Sequence, residues 1–284
     1  MVNSTTSHNL HSDPDHNKPG VDLKWPASAI WRYGEPKILI IGAAEVMDAL
    51  RRGIDDFRAV PTHAIFLLLI YPVVGFILFR LAFGYDVLPL IYPMAAGFAL
   101  LGPVVAIGLY ELSRRRELGF KDSAIHAFEV LRSPSIGAIA RLGAVLAAIF
   151  LAWLFTANLI YAQIFGGAFP SSVGAFLDQV TSTPDGHQLI IVGHLVGLIF
   201  AAVVLVISIV SFPMLVDRAD VSASTAVRTS IRAALENPLA VALWGFIVAV
   251  ALVVGALPFL LGLAVVLPVL GHATWHLYRK LVEH

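Results

Sequence analysis

The sequence predicts an all-α membrane protein: six transmembrane helices arranged as three hairpins, each hairpin preceded by a cytoplasmic amphipathic helix. Three observations lead there. Of the 284 residues, 58% are apolar and 13% charged, where a soluble domain carries about 25% charged residues. Six stretches reach the roughly 20 mostly apolar residues that a spanning helix needs. A helix-then-proline pattern also recurs ahead of the first, third and fifth stretches.

The same composition removes several classes of function. Lys+Arg and Asp+Glu balance at 19 each, so the chain offers no bulk positive field for nucleic acid. With no cysteine there is no disulfide framework, thiolate metal site or cysteine nucleophile. No GxSxG, Walker A or paired-carboxylate motif is found, so no catalytic residue, cofactor or metal is expected.

Residues 1–42 read as a polar, largely disordered cytoplasmic tail. His8, His11 and His16 stand there among Asn, Ser, Thr and Asp. The first long apolar run begins near residue 62, so no secretory signal is expected. Residues 43–280 form the transmembrane domain, with spans expected at 62–83, 88–112, 136–165, 187–216, 238–256 and 257–278. The last two make one apolar run too long for a single crossing, and Gly255 with Pro258 supplies the break. All 19 Lys and Arg except Arg80 fall on one side of these spans. That asymmetry predicts that both termini are cytoplasmic.

Three internal repeats divide the domain, over 43–116, 121–218 and 222–280. Residues 49–61 (ALRRGIDDFRAVP) and 226–238 (AVRTSIRAALENP) align on their prolines, and residues 122–134 (DSAIHAFEVLRSP) form a looser copy. Val46, Leu50, Ile54 and Phe57 recur at near-helical spacing, as do Val227, Ile231 and Leu235. Such a helix either rests among lipid headgroups or packs with its counterparts as a collar on the inner side. Arg51, Arg52, Arg58, Arg114, Arg115, Arg116, Arg228 and Arg232 are expected at the lipid interface, where each contributes on the order of 1 kcal/mol to topology. Ser222 or Ser224, and Asp122 or Ser123, are candidate N-caps. Pro103, Pro213 and Pro268 recur in the second span of each unit and predict kinks.

Within the apolar belt, Glu111 and Arg141 stand near span ends as a pair or as separate anchors. Asn158 and Gln163 are expected to hydrogen-bond across helices, and Gly193–Gly197 is a GxxxG packing motif enclosing His194. His272 and His276 share a face of the last span. They are interfacial anchors in the simplest reading. A haem pair with His63 is the cofactor alternative, and zinc lacks a third ligand alongside.

Longer matching stretches point to a family. They include LIYPVVG at 69–75, AAGFALLGP at 95–103, GLYELSRRRE at 108–117, LRSPS at 131–135 and LPVLGHATWHLYRK at 267–280. Over residues 45–280 the chain closely resembles a proteobacterial domain-of-unknown-function family of six-span integral membrane proteins, some labelled as cytochrome c oxidase subunit I. The oxidase subunit itself resembles a twelve-span bundle with six intramembrane histidine ligands, which this sequence does not match. The resemblance implies a fold and no activity. The expected function is a non-enzymatic scaffold or accessory protein in the lipid bilayer, with a respiratory complex suggested by the family label alone. A membrane-protein partner or a second copy is its expected company. A small-solute or ion transporter is the alternative, and a haem or metal redox protein the third.

Overall fold

The computed structural model describes residues 36–62, 65–66, 88–120, 123–258 and 260–284. Most of the expected first span, with His63 and Arg80, and the tail histidines lie outside the described residues. Among the described residues the structure is helical, with one isolated antiparallel bridge between Ile38 and Val282.

Four runs are long and apolar enough to cross a membrane: Leu88–Glu117, Ile136–Phe165, Pro184–Asp217 and Pro238–Ala256. They correspond to the second, third, fourth and fifth expected spans. At the place of the sixth expected span, 257–278, one helix is present that is not among those four. It is the helix Leu263–Leu281, whose second half carries His272, His276, Arg279 and Lys280 and makes it less apolar than the four.

In chain order the helices are α1 (Ala43–Ala59), α2 (Leu88–Phe98), α3 (Gly102–Val105), α4 (Ile107–Glu117), α5 (Ile136–Phe165), α6 (Val173–Ser182), α7 (Pro184–Ser208), α8 (Ser211–Asp217), α9 (Ala223–Glu236), α10 (Pro238–Ala256) and α11 (Leu263–Leu281). Helix α6, in the loop after α5, was not foreseen. Ser222 caps α9 by accepting from the Thr225 N–H at 3.1 Å, as its sequence position suggests. A short 3-10 segment, Ala99–Leu101, precedes Pro103, and the helix is interrupted again at Ala106. The break before Pro213 is bridged from outside: the Ser230 hydroxyl donates to the Val206 carbonyl at 2.8 Å and accepts from the Val210 N–H at 3.1 Å. A side chain thus sits where one rung of the helical ladder would be. Helix α11 runs through Pro268 without a break.

The second helix-then-proline copy differs from the other two. Ala124–Arg132 is a 3-10 helix of nine residues. Its sequence repeats every third residue, as Ala-Ile-His, Ala-Phe-Glu and Val-Leu-Arg. That period matches 3.0 residues per turn and not 3.6.

Fully buried residues gather at one end of the bundle, where α4, α8 and α11 pack against one another. Tyr110, Leu112, Phe212, Met214, Leu215, Trp275, Leu277 and Tyr278 are buried there. The long apolar helices, by contrast, leave Leu151, Phe155, Leu198, Ile199 and Phe246 exposed. That pattern is what lipid-facing helices require, because acyl chains solvate such side chains as well as a protein core does.

Candidate functional site

The buried charged end forms around α1 and α11. These helices run antiparallel, with Asp48 against Lys280, Gly53 against Ala273 and Asp56 against His276. The face that α1 buries is Val46, Ala49, Gly53 and Asp56. The larger Leu50, Ile54 and Phe57 are only half-buried at its edge. Glycine is required in the middle, since a Cβ on Gly53 would lie 2.5 Å from the Ala273 nitrogen.

Asp56 is the hub of the site. It is buried on α1, and its Oδ2 accepts from the Ser113 hydroxyl at 2.5 Å and pairs with His276 Nε2 at 2.8 Å. Its Oδ1 accepts from Arg116 Nη1 at 2.9 Å, and the same nitrogen donates to the Asp55 carbonyl. Burial works against the charged carboxylate, but the hydrogen bonds from His276 and Ser113 outweigh it and hold Asp56 below the usual carboxylate range. Ser113 Oγ also meets His272 Nδ1 at 2.8 Å, so the chain Arg116–Asp56–Ser113–His272 is continuous. The far nitrogen of His272 is buried without a hydrogen-bond partner.

Further pairs tie the remaining helices to α11. Glu117 accepts from Trp275 Nε1 at 3.1 Å and from Arg279 Nε at 3.0 Å. Asp217 accepts from the Tyr278 hydroxyl at 2.7 Å. Lys280 meets Asp48 at 2.7 Å, and Asp48 also accepts from Arg52 at 2.9 Å. The two ends of the described chain join here too: Leu39 donates to the Leu281 carbonyl and Glu283 to the Lys37 carbonyl. Asn237 fastens the same strap to α10, with its Oδ1 accepting from the Ile41 N–H and its Nδ2 donating to the Leu39 carbonyl. Next to His284, burial and the neighbouring Arg279 favour the neutral imidazole, lowering its pKa to about 4.

The arginines expected at the lipid interface separate into two groups. Arg51, Arg52, Arg58 and Arg228 are exposed, and Arg232 is half-buried with Glu236 at 3.5 Å. Arg114 and Arg115 are buried, Arg114 in a two-point pair with Glu111 and Arg115 with Glu129 at 2.6 Å. Arg116 serves Asp56. Glu111 therefore pairs with Arg114, one turn away, and not with Arg141. Asn158 and Gln163 are exposed on α5 and make no cross-helix bond among the described residues. The GxxxG motif is used at one end only: a Cβ on Gly197 would sit 3.1 Å from the Trp153 ring, whereas Gly193 has open space. His194 instead meets the Tyr92 hydroxyl at 2.8 Å and the Ile190 carbonyl at 2.7 Å.

Of the candidate cofactor histidines, His272 and His276 come together on Asp56, one helical turn apart, and each has a ring nitrogen committed to Ser113 or Asp56. The haem alternative joins one of them to His63, which lies outside the described residues. The members that sequence reasoning missed are Asp56, Ser113 and Glu117. Asp56 carried a usable signal, as a carboxylate on the small-residue face of an amphipathic helix.

No curated protein and no solved structure matches the chain. Residues 91–217 match the model of a family described as predicted integral membrane protein (DUF2189). With four helices of membrane-crossing length and composition, that match identifies the chain as a multi-pass integral membrane protein.

Proposed function

We propose that the chain is a non-enzymatic scaffold of the bacterial inner membrane, with six spans in three related units and both termini in the cytoplasm. The carrying observation is the way its charged end closes. Each helix-then-proline segment packs on the second span of the preceding unit: α1 on α11, Ala124–Arg132 on α4, and α9 on α8. The contact points correspond. Gly53 and Ser230 each stand eight residues before their prolines, Pro61 and Pro238. Gly108 and Ala273, which receive Ala127 and Gly53, each stand five residues after Pro103 and Pro268. A ring of three units accounts for this cyclic order. The charged groups inside it are spent on one another, which makes a rigid platform.

In this reading Arg51, Arg52, Arg58 and Arg228 face the anionic leaflet and set topology, while Arg114, Arg115 and Arg116 hold the collar. The partner is a membrane-protein complex, and only the family label points to a respiratory one. Reporter fusions after residues 176 and 284 should read periplasmic and cytoplasmic; the reverse pattern overturns the topology. Isolated in mild detergent, the tagged chain should retain a stoichiometric membrane-protein partner. Recovery of the chain alone from several such detergents counts against a scaffold. A small-solute or ion transporter is the second reading, favoured by the buried Asp56–Ser113–His272 chain. Proton or solute flux in proteoliposomes that is lost in His272→Gln would put it first.

A further inference from the structure

We propose that the 3-10 helix Ala124–Arg132 is a membrane-surface element, seated with Ile125, Phe128 and Leu131 in the leaflet at the charged end of the protein. In a 3-10 helix, residues three apart eclipse one another, so this segment has three straight edges. Ala124, Ala127 and Val130 form the first. It packs on α4, where Val130 is buried and Ala127 lies so close to Gly108 that a Cβ there would be 2.9 Å from its own. His126, Glu129 and Arg132 form the second, polar edge, tied to α4 through Glu129 and Arg115. Ile125, Phe128 and Leu131 form the third, and they are 67%, 53% and 58% exposed.

Three large apolar side chains in line on one edge are not the scatter of an ordinary surface. Their depth identifies the occupant. Gly108 lies twenty residues along the run that begins at Leu88, which is about 30 Å of helix. That is roughly the thickness of the hydrocarbon core. The close contact of Ala127 with Gly108 therefore holds the 3-10 helix at the boundary between acyl chains and headgroups. The helix that follows, α5, begins at Ile136 and exposes Val145, Leu151 and Phe155 further along its length. Apolar residues inserted at that level with a polar edge toward water are the pattern of an interfacial helix. The corresponding helices expose one large apolar side chain each, Met47 on α1 and Leu235 on α9, so this device belongs to the middle unit.

The absence of cysteine makes the test direct. Single nitroxide labels are placed by Ile125→Cys, Phe128→Cys, Leu131→Cys, His126→Cys and Arg132→Cys in the full chain. The vesicles are phosphatidylcholine with phosphatidylglycerol. Phe155→Cys serves as the lipid reference and Asp220→Cys, in an exposed loop, as the water reference. Labels at 125, 128 and 131 should be accessible to oxygen and shielded from a water-soluble nickel chelate, as at 155. Those at 126 and 132 should resemble 220. Water-like accessibility at 125, 128 and 131 overturns the proposal. So does shielding from both reagents, which would mean that a protein covers the edge. A label at 155 outside lipid would overturn the membrane placement of α5, and this proposal with it.

Discussion

Replacing Gly53 by valine is expected to separate α1 from α11 and cost the protein at least about 1–3 kcal/mol, the usual range for overpacking. The cause is backbone proximity. A Cβ at Gly53 would stand 2.5 Å from the nitrogen, 2.6 Å from the Cβ and 2.7 Å from the Cα of Ala273. No flexible side-chain end lies there to yield. The displacement would also draw Asp48 from Lys280 and Asp56 from His276, since both pairs span the same two helices. Thermal unfolding in detergent, followed by size-exclusion recovery, measures the loss. Gly193→Ala is the matched control, because its Cβ enters open space and alanine is the better helix former. Equal melting of Gly53→Val and the parent would mean that α1 does not pack on α11.

Asp56→Asn is expected to destabilise by about 3 kcal/mol at neutral pH, the lower end for removing one partner of a buried pair. The lower end applies because Arg116 is 40% exposed. Asparagine has one acceptor oxygen, whereas Asp56 uses both of its own, Oδ1 toward Arg116 and Oδ2 toward Ser113 and His276. With its oxygen toward Ser113 and His276 the amide turns its NH2 group on Arg116, a donor only; turned the other way it keeps Arg116 and withdraws the carboxylate oxygen from Ser113 and His276. The pH dependence has a definite sign. The folded carboxyl lies below the ordinary value, so its contribution is fully present above the unfolded pKa of about 4. It is lost as pH falls through the lower folded value. Stability curves of parent and Asp56→Asn should therefore stay apart at pH 7 and approach each other below about pH 4. A gap that does not narrow in acid would show that shape, and not charge, is what Asp56 supplies.

The sequence by itself determined where the long apolar helices run. Residues 136–165 and 238–256 are legible from composition alone and have the bounds of α5 and α10. The reason is that a chain in lipid must satisfy its backbone within each segment, so a span is written in consecutive residues. Helix interruptions near Pro103 and before Pro213 are local in the same way, whereas α11 runs through Pro268. The period of three in residues 124–132 was also on the page, although a 3.6-residue template passes over it. Tertiary structure alone decided which side of α1 is the inner one. By size the apolar side is Val46, Leu50, Ile54 and Phe57, but close approach to Ala273 turns Val46, Ala49, Gly53 and Asp56 inward, so the two sets share Val46 alone. It also decided the chemistry of the charged end. Asp56 meets Ser113 across 57 positions and His276 across 220, and Ser113 meets His272 across 159. A buried carboxylate is tolerable only with such partners, and partners that far apart in sequence are assigned by packing.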